Sequence, residues 1–215
     1  AIVKMLRAKS DATRALQDAI EMMETQLGLR VKRIRSDGGG EYMASSLQMH
    51  LREKGIIHEE SPPYHPQQNG AAERLNRTLL DRGRAMMIGA DLPQAAWAEV
   101  ISTASFLHNR QRFSAVQGAI PFELFWRRRM QSLDFLREYG CKAFVLKLGP
   151  GTKKMDPRSL QGKLVGYEAD GVLYRVLVGK DVKVSKHVQF QEGLMVRTPE
   201  RMENEAAGLC DHTPT

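Results

Sequence analysis

Two stretches decide the reading of this chain: Arg35-Ser36-Asp37-Gly38-Gly39-Gly40-Glu41-Tyr42, and further on Pro63-Tyr64-His65-Pro66-Gln67-Gln68-Asn69-Gly70-Ala71-Ala72-Glu73-Arg74-Leu75-Asn76-Arg77-Thr78-Leu79-Leu80. Residues 31–36 (VKRIRS) read as a strand, which sets Asp37 at its carboxyl end, the place where ligands and metals collect in open α/β sheets. The three glycines that follow deny bulk and let a backbone or a phosphate approach. In the second stretch Pro62, Pro63, Pro66 and the terminal Asn69-Gly70 make residues 61–70 a loop. A long helix is then expected from Ala71 through Met87, with Glu73 in its first turn.

Outward from these, residues 2–6 (IVKML) read as a short strand. Ser10 is the expected cap of a helix whose Leu16, Ile20, Met23 and Leu27 recur at helical spacing until Gly28 closes it. Ser45 or Ser46 is expected to cap a shorter helix with Leu47 and Leu51 inward, stopped by Gly55, and residues 56–58 read as a brief strand. Pro93 opens a helix to about Arg110 with Trp97, Val100, Ile101, Ala104 and Leu107 inward, and Pro121 opens one to about Arg128. Past Asp134 the texture changes. Residues 141–148, 163–167, 172–178 and 182–190 are apolar or β-branched and separated by glycines, with Gly179-Lys180-Asp181 where a hairpin turn belongs, which predicts a small antiparallel unit.

The chain has 215 residues, 42% hydrophobic and 27% charged, enough for one core or a core with a small appended domain. Nothing approaches the roughly 18 unbroken apolar residues of a membrane helix, so no membrane partner is expected. Net charge is +7, which favours a polyanionic partner because neutralising phosphates releases condensed counterions. Cys141 and Cys210 form no CxxC pair and have no histidine cluster beside them. A reducing intracellular compartment is therefore expected, and a structural zinc site is not.

Asp37 and Glu73 have 35 residues between them (38–72). If they converge, two carboxylates from a strand end and a helix turn can hold Mg²⁺, a hard cation that takes oxygen ligands. Each also has a plain local role: Asp-Gly is a turn, and an acid in a first helical turn complements the helix dipole. Glu73, Asn76, Arg77, Leu80 and Arg84 share one helical stripe, with Arg74 and Arg82 beside it. Such a row suits phosphates of DNA, or else is a solvated face paired with acids such as Asp81. Arg127-Arg128-Arg129 complements a helix carboxyl end or contacts phosphate. Trp97 and Trp126 are expected in the core, and His65 and His187 in structural roles.

The wording around the two acids resembles the integrase core of copia-type retrotransposons, whose pattern is RSD-x-GGEY followed by PY-x-PQQNG-x-AER-x-NRTL. Gly38 replaces a common Asn and His65 a common Thr. The resemblance continues through Leu92-Pro93, Trp97-Ala98-Glu99, Asn109-Arg110, Pro121-Phe122-Glu123, residues 136–141 (LREYGC), Leu164-Val165-Gly166-Tyr167 and residues 184–190 (VSKHVQF), so it spans roughly residues 1–192. It implies an α/β, RNase H-like integrase core, a mixed central sheet flanked by helices, over residues 1–130, with its first strand lacking. A small β-rich carboxyl-terminal unit over 135–195 and a flexible tail over 196–215 would follow. It further implies a metal-dependent polynucleotidyl transferase that performs DNA integration through 3′-end processing and strand transfer, using Mg²⁺ or Mn²⁺.

Position by position, Asp37 matches the second catalytic and metal-binding acid and Glu73 the third. Gln68, Asn69, Arg74, Asn76, Arg77 and Arg84 are the implied nucleic-acid contacts. The first acid belongs upstream of Ala1, so the chain is expected to be a polyprotein fragment with little strand-transfer activity. Retrotransposon ends and target DNA are the implied partners, a homo-oligomer the implied assembly and the nucleus the place of action. The alternative is a relic or domesticated domain that binds nucleic acid without catalysis. An upstream reading frame carrying a strand with Asp separates the two.

Overall fold

Helix α1 (Ala12–Leu27) forms where apolar residues recur every three to four positions, and Gly28, in the left-handed conformation at φ 63°, ends it by donating its N–H to Glu24 O. The computed structural model describes residues 1–37, 39–40, 42–60, 70–113, 116–130, 132–147 and 157–193. Strand β1 (Arg33–Ser36) follows, then α2 (Ser45–Glu53) and β2 (Ile57–Glu60). β2 pairs parallel to β1, with Arg33 opposite Ile57 and Ser36 opposite Glu60. Parallel neighbours need a crossover, and α2 supplies it. Ile20 of α1, Leu47 and Leu51 of α2 and Ile56 bury together, with Ile34 of β1 against them.

The second half is built on α3 (Gly70–Gly89) and α4 (Trp97–Asn109), which pack on each other. Gly83, buried in α3, makes the close approach possible, since a Cβ there would sit 2.6 Å from Cδ1 of Ile101. After α5 (Pro121–Trp126) come β3 (Lys142–Leu146), β4 (Ser159–Glu168), β5 (Leu173–Val178), β6 (Asp181–Ser185) and β7 (Val188–Gln191). They form an antiparallel sheet in the order β6-β5-β4-β3-β7. Gly179, at φ 62°, and Lys180 make the tight β5–β6 turn.

α4 lies against β4. Phe106 stacks on Tyr167 with centroids 5.2 Å apart, and Arg175 of β5 grips Glu99 of α4 at 2.7 and 2.8 Å. Register shifts between Leu164 and Gly166, so Val165 bulges out of the β4–β5 ladder. Its carbonyl accepts the buried Thr103 hydroxyl of α4 at 2.7 Å. No helix among the described residues is long and apolar enough to cross a membrane.

The succession of helices and strands is as expected, but among the described residues the first half holds the two-stranded parallel sheet β1–β2 in place of the expected mixed central sheet, and several local corrections follow. Residues 2–6 form no strand. No neighbouring strand pairs with them among the described residues; Ala1 O ahead of them accepts from Ser105 and Asn109 of α4, and Lys4 pairs with Asp18 of α1 at 2.9 Å. Ser10 is not the cap of α1: it sits in a 3-10 turn (Lys9–Asp11), and Asp11 reaches back to accept the Ala8 N–H at 3.1 Å. Ala44, not a serine, precedes α2. Trp97 is 51% exposed, because a 3-10 turn (Gln94–Ala96) precedes α4 and Ala96 takes the inward place. The loop over 61–69, with Gln68, Asn69 and His65, and the tail over 196–215 with Cys210 lie outside the described residues.

Candidate metal and nucleic-acid site

The sheet edge fixes Asp37. It follows Ser36, the last residue of β1, whose register partner on β2 is Glu60. Asp37 is exposed, and its Oδ1 accepts the Gly39 N–H at 3.3 Å, an Asx-type turn that sequence chemistry anticipates. The chain toward Glu73 departs from the same carboxyl edge, because β2 ends at Glu60 and α3 begins at Gly70. Asp37 stands at the end of that edge, and Glu73 lies in the first turn of α3.

On α3 the buried residues are Gly70, Leu79 and Gly83, whereas Glu73, Asn76, Arg77, Leu80 and Arg84 are exposed along the opposite stripe. Leu80, 55% exposed in the middle of it, confirms that this face packs against nothing described. Arg84 pairs with Asp81 at 3.1 Å, the surface pairing that the sequence allows. Arg74 is exposed, and its backbone carbonyl accepts the Thr78 hydroxyl at 2.9 Å. Arg82 turns the other way. It donates to Gln111 at 2.8 Å and to Nδ1 of His108 at 3.3 Å, so it ties α3 to α4. Burial and the Arg82 charge hold His108 below its ordinary value, consistent with a neutral ring accepting at Nδ1.

Neither Asp37 nor Glu73 makes an ion pair among the described residues. Exposed carboxylate oxygens are the donors a hard divalent cation takes, and among the described residues Asp37 Oδ1 is engaged only by the long Gly39 N–H contact, so the chemistry of the two residues fits Mg²⁺ or Mn²⁺. Among the described residues no group of three or more His, Cys, Asp or Glu side chains is placed to hold a metal. Glu60, though it ends the neighbouring strand, does not complete such a set.

Sequence reasoning missed His58. Its Nε2 stands 2.9 Å from the buried Ser36 Oγ, and its Nδ1 lies 2.8 Å from Nε2 of Gln48. Gln48 Nε2 also donates to Tyr42 O at 2.9 Å, and Ser36 Oγ donates to Asp37 O at 2.9 Å. An amide nitrogen only donates, which assigns the ring as Nδ1-acceptor and Nε2-donor. A polar chain from α2 through β2 thus ends on the backbone of Asp37. The one sequence signal was a histidine inside a short apolar strand, Ile56-Ile57-His58.

Of the remaining expectations, Arg127 sits in the left-handed conformation at φ 52° after α5, and Arg128 bonds Asp170 rather than a helix end. Trp126 is half-buried, and His187 is exposed, with its N–H donating to Ser185 Oγ at 3.0 Å.

In sequence the chain is similar to mobile-element polyproteins. The family described as retroviral polymerase SH3-like domain matches residues 141–204, which include the antiparallel sheet. Over 192 residues, 88% of the chain, it is 34% identical to the retrovirus-related Pol polyprotein from transposon TNT 1-94 of Nicotiana tabacum. Over 189 residues, 87% of the chain, it is 28% identical to the corresponding polyprotein from transposon RE1 of Arabidopsis thaliana. The chain spans only 14% and 13% of those relatives' lengths. Among solved structures it resembles the simian T-cell lymphotropic virus intasome in complex with PP2A regulatory subunit B56 gamma. That match has TM-score 0.46 and 20% identity and covers 89% of this chain and 67% of that one.

Proposed function

We propose that this chain, which belongs with the retrovirus-related Pol polyproteins of plant transposons, is the part of a copia-type integrase core that supplies the second and third catalytic acids. The observation that carries the reading is that Asp37, just past the carboxyl end of β1, and Glu73, in the first turn of α3, are both exposed and make no ion pair among the described residues. Asp37, held by its own turn to Gly39 and by the Ser36–His58 chain behind it, and Glu73, on the first turn of a rigid helix, are the ligands for Mg²⁺ or Mn²⁺. A divalent cation held by these two carboxylates would supply Lewis-acid activation of one of the two oxygens in phosphodiester exchange, the other falling to a second ion.

The exposed α3 stripe presents Arg74, Asn76, Arg77 and Arg84 beside Glu73, and guanidinium groups suit phosphate oxygens. In this reading DNA is the partner: element ends whose 3′-hydroxyls attack target DNA in the nucleus, with several copies of the core acting together because two ends are joined. Gln68 and Asn69, in the loop ahead of α3, are the proposed amide contacts to the same DNA.

The test is strand transfer by a Pol segment that includes this chain and the residues ahead of it, with Mg²⁺ or Mn²⁺. Asp37→Asn and Glu73→Gln are expected to reduce joining to background while leaving the melting temperature unchanged. Full activity in either variant would overturn the assignment. The 215-residue chain alone, with two of the family's three acids, is expected to join DNA at background level. Duplex binding without joining by the longer segment would favour the non-catalytic alternative.

A further inference from the structure

Far along the chain from the two acids, a cleft of about 670 Å³ opens where α4, the loop after α5 and the β4–β5 turn meet. Arg110, Phe122, Arg128, Arg129, Ser132 and Asp170 line it. Three guanidinium groups there face one carboxylate. The Arg110 side chain is 6% exposed and bonds Asp170 Oδ1 at 2.8 Å, while Arg128 Nη2 takes the other oxygen of the same carboxylate. Arg110 also lies over the rings of Phe106 and Phe122, at 3.5 and 4.6 Å from their centroids, so it has no freedom to swing out.

The charge is not balanced. Asp170 compensates one of the three arginines, and Arg129 has no ion pair among the described residues. Burial first, and then the nearby Arg128, weigh against the charged form of Arg110 despite Asp170. A further anion in the cleft would relieve both. The loop is also shaped to present its cations: Glu123 of α5 accepts the Met130 N–H at 2.9 Å, and Arg127 adopts a left-handed turn that directs the chain around the corner. Arg128, over Phe122 at 5.0 Å, spends one N–H on Asp170, and among the described residues the rest of its donor fork and that of Arg129 have no hydrogen-bond partner.

We propose that this cleft is a second nucleic-acid contact, in which Arg128 and Arg129 grip backbone phosphate while the buried Arg110–Asp170 pair holds the cradle. The choice of DNA as the source of the phosphate rests on the function proposed above, but the cleft does not depend on the metal site. Its role is positioning. Phosphate contacts of this kind fix register and carry no sequence preference.

The experiment is fluorescence anisotropy of a labelled DNA duplex with the full chain, without divalent metal, across a salt titration. Arg128→Gln with Arg129→Gln is expected to weaken binding about tenfold near 0.1 M salt and to reduce the slope of log affinity against log salt by about 2, one lost counterion-releasing contact per arginine. Arg129→Gln alone, which breaks no ion pair, is expected to give half of that slope change with an unaltered melting temperature. Lys180→Gln with Lys183→Gln, on the β5–β6 hairpin, removes equal charge and is expected to have the smaller effect. Equal losses in the two double variants would mean nonspecific attraction and would overturn the site, as would an unchanged slope in Arg129→Gln. Displacement of the duplex by poly-glutamate but not by inorganic phosphate or pyrophosphate would also overturn it, since that names an acidic peptide. Strand transfer with divalent metal tests the metal site and this metal-free binding tests the cleft, so the two proposals fail separately.

Discussion

Ser36 Oγ and His58 Nε2 stand 2.9 Å apart across the two parallel strands, and the same serine donates to the carbonyl of Asp37. This pair links the position of a candidate metal ligand to the ring orientation of a residue on the neighbouring strand, which Gln48 fixes from α2. His58→Ala removes the Ser36 and Gln48 contacts while Ser36 Oγ keeps its bond to Asp37 O, at a cost of about 1 kcal/mol for the lost hydrogen bonds. Ser36→Ala is expected to cost about 1 kcal/mol. Chemical denaturation of both variants checks this. If His58→Ala were as stable as the parent chain, the polar chain would carry no weight in holding Asp37.

At the β4 bulge the hydroxyl of Thr103 satisfies the carbonyl of Val165, which has left the ladder. Thr103→Val keeps the shape and removes the donor, so the buried carbonyl is stranded and the loss is about 1–3 kcal/mol. Thr103→Ser keeps the donor and is expected to lose less. The difference between the two in urea unfolding is the measurement; equal losses would mean that packing, not the hydrogen bond, matters at this contact.

Gly140 has φ +81°, and a Cβ on it would stand 2.2 Å from the Ala90 Cβ and 2.9 Å from the Ala90 Cα. Gly140→Ala therefore meets both a backbone clash and an unfavourable left-handed conformation, roughly 3 kcal/mol or more together. Gly89→Ala, in α3 with nothing within 4 Å, is expected to be neutral or stabilising by up to about 1 kcal/mol. In thermal melts Gly140→Ala is expected to fall by about 6–12 °C, whereas Gly89→Ala is expected to stay level or rise slightly.

How far the sequence revealed this arrangement depends on the range of the interaction. Helical periodicity found α1 to α5 because Leu16, Ile20, Leu47, Leu51, Val100 and Ala104 signal locally, and Gly179-Lys180 marked the β5–β6 turn for the same reason. Residues 2–6 misled because apolar composition alone fixes neither burial nor pairing: Ile2, Met5 and Leu6 are exposed, and pairing requires a neighbour that the local text does not contain. Trp97 misled because the start of α4 is set by the turn before it. The Asp37 and Glu73 assignments came from an extended motif rather than from spacing. His58 and the Arg110–Asp170–Arg128 group were invisible because their partners lie 22, 60 and 42 residues away.

Cys141 is buried against Leu164 and Tyr167, and its thiol is pushed up to about 11, by burial first and then by Glu192 and Glu138. The folded form therefore holds this proton more tightly than the unfolded chain. By linkage the group's contribution to stability is full below the ordinary thiol range and is lost as pH rises through roughly 8.5 towards 11. In a Cys210→Ser background, iodoacetamide at pH 8 is expected to label Cys141 far more slowly than a free thiol, and labelling should accelerate on adding denaturant. Free-thiol rates in native buffer would contradict the burial.

On the exposed stripe of α3 the two arginines are not equivalent, although sequence spacing treats them alike. Arg84 shares its charge with Asp81 at 3.1 Å, whereas Arg77 has no ion pair among the described residues. If the stripe meets DNA phosphate, Arg77→Gln removes a full cation, and the salt slope of duplex binding is expected to fall by about 0.9. Arg84→Gln removes a partly neutralised one and also leaves Asp81 bare on the same surface, where it repels phosphate. Asp81→Asn is then the informative change: it frees Arg84 and deletes an acid, so affinity for duplex should rise, and more at low salt than at high, because screening shortens the reach of exposed charges. A decrease or no change in affinity for Asp81→Asn, with Arg77→Gln also silent, would mean that this face of α3 is turned away from nucleic acid and that Glu73 stands on it for another reason.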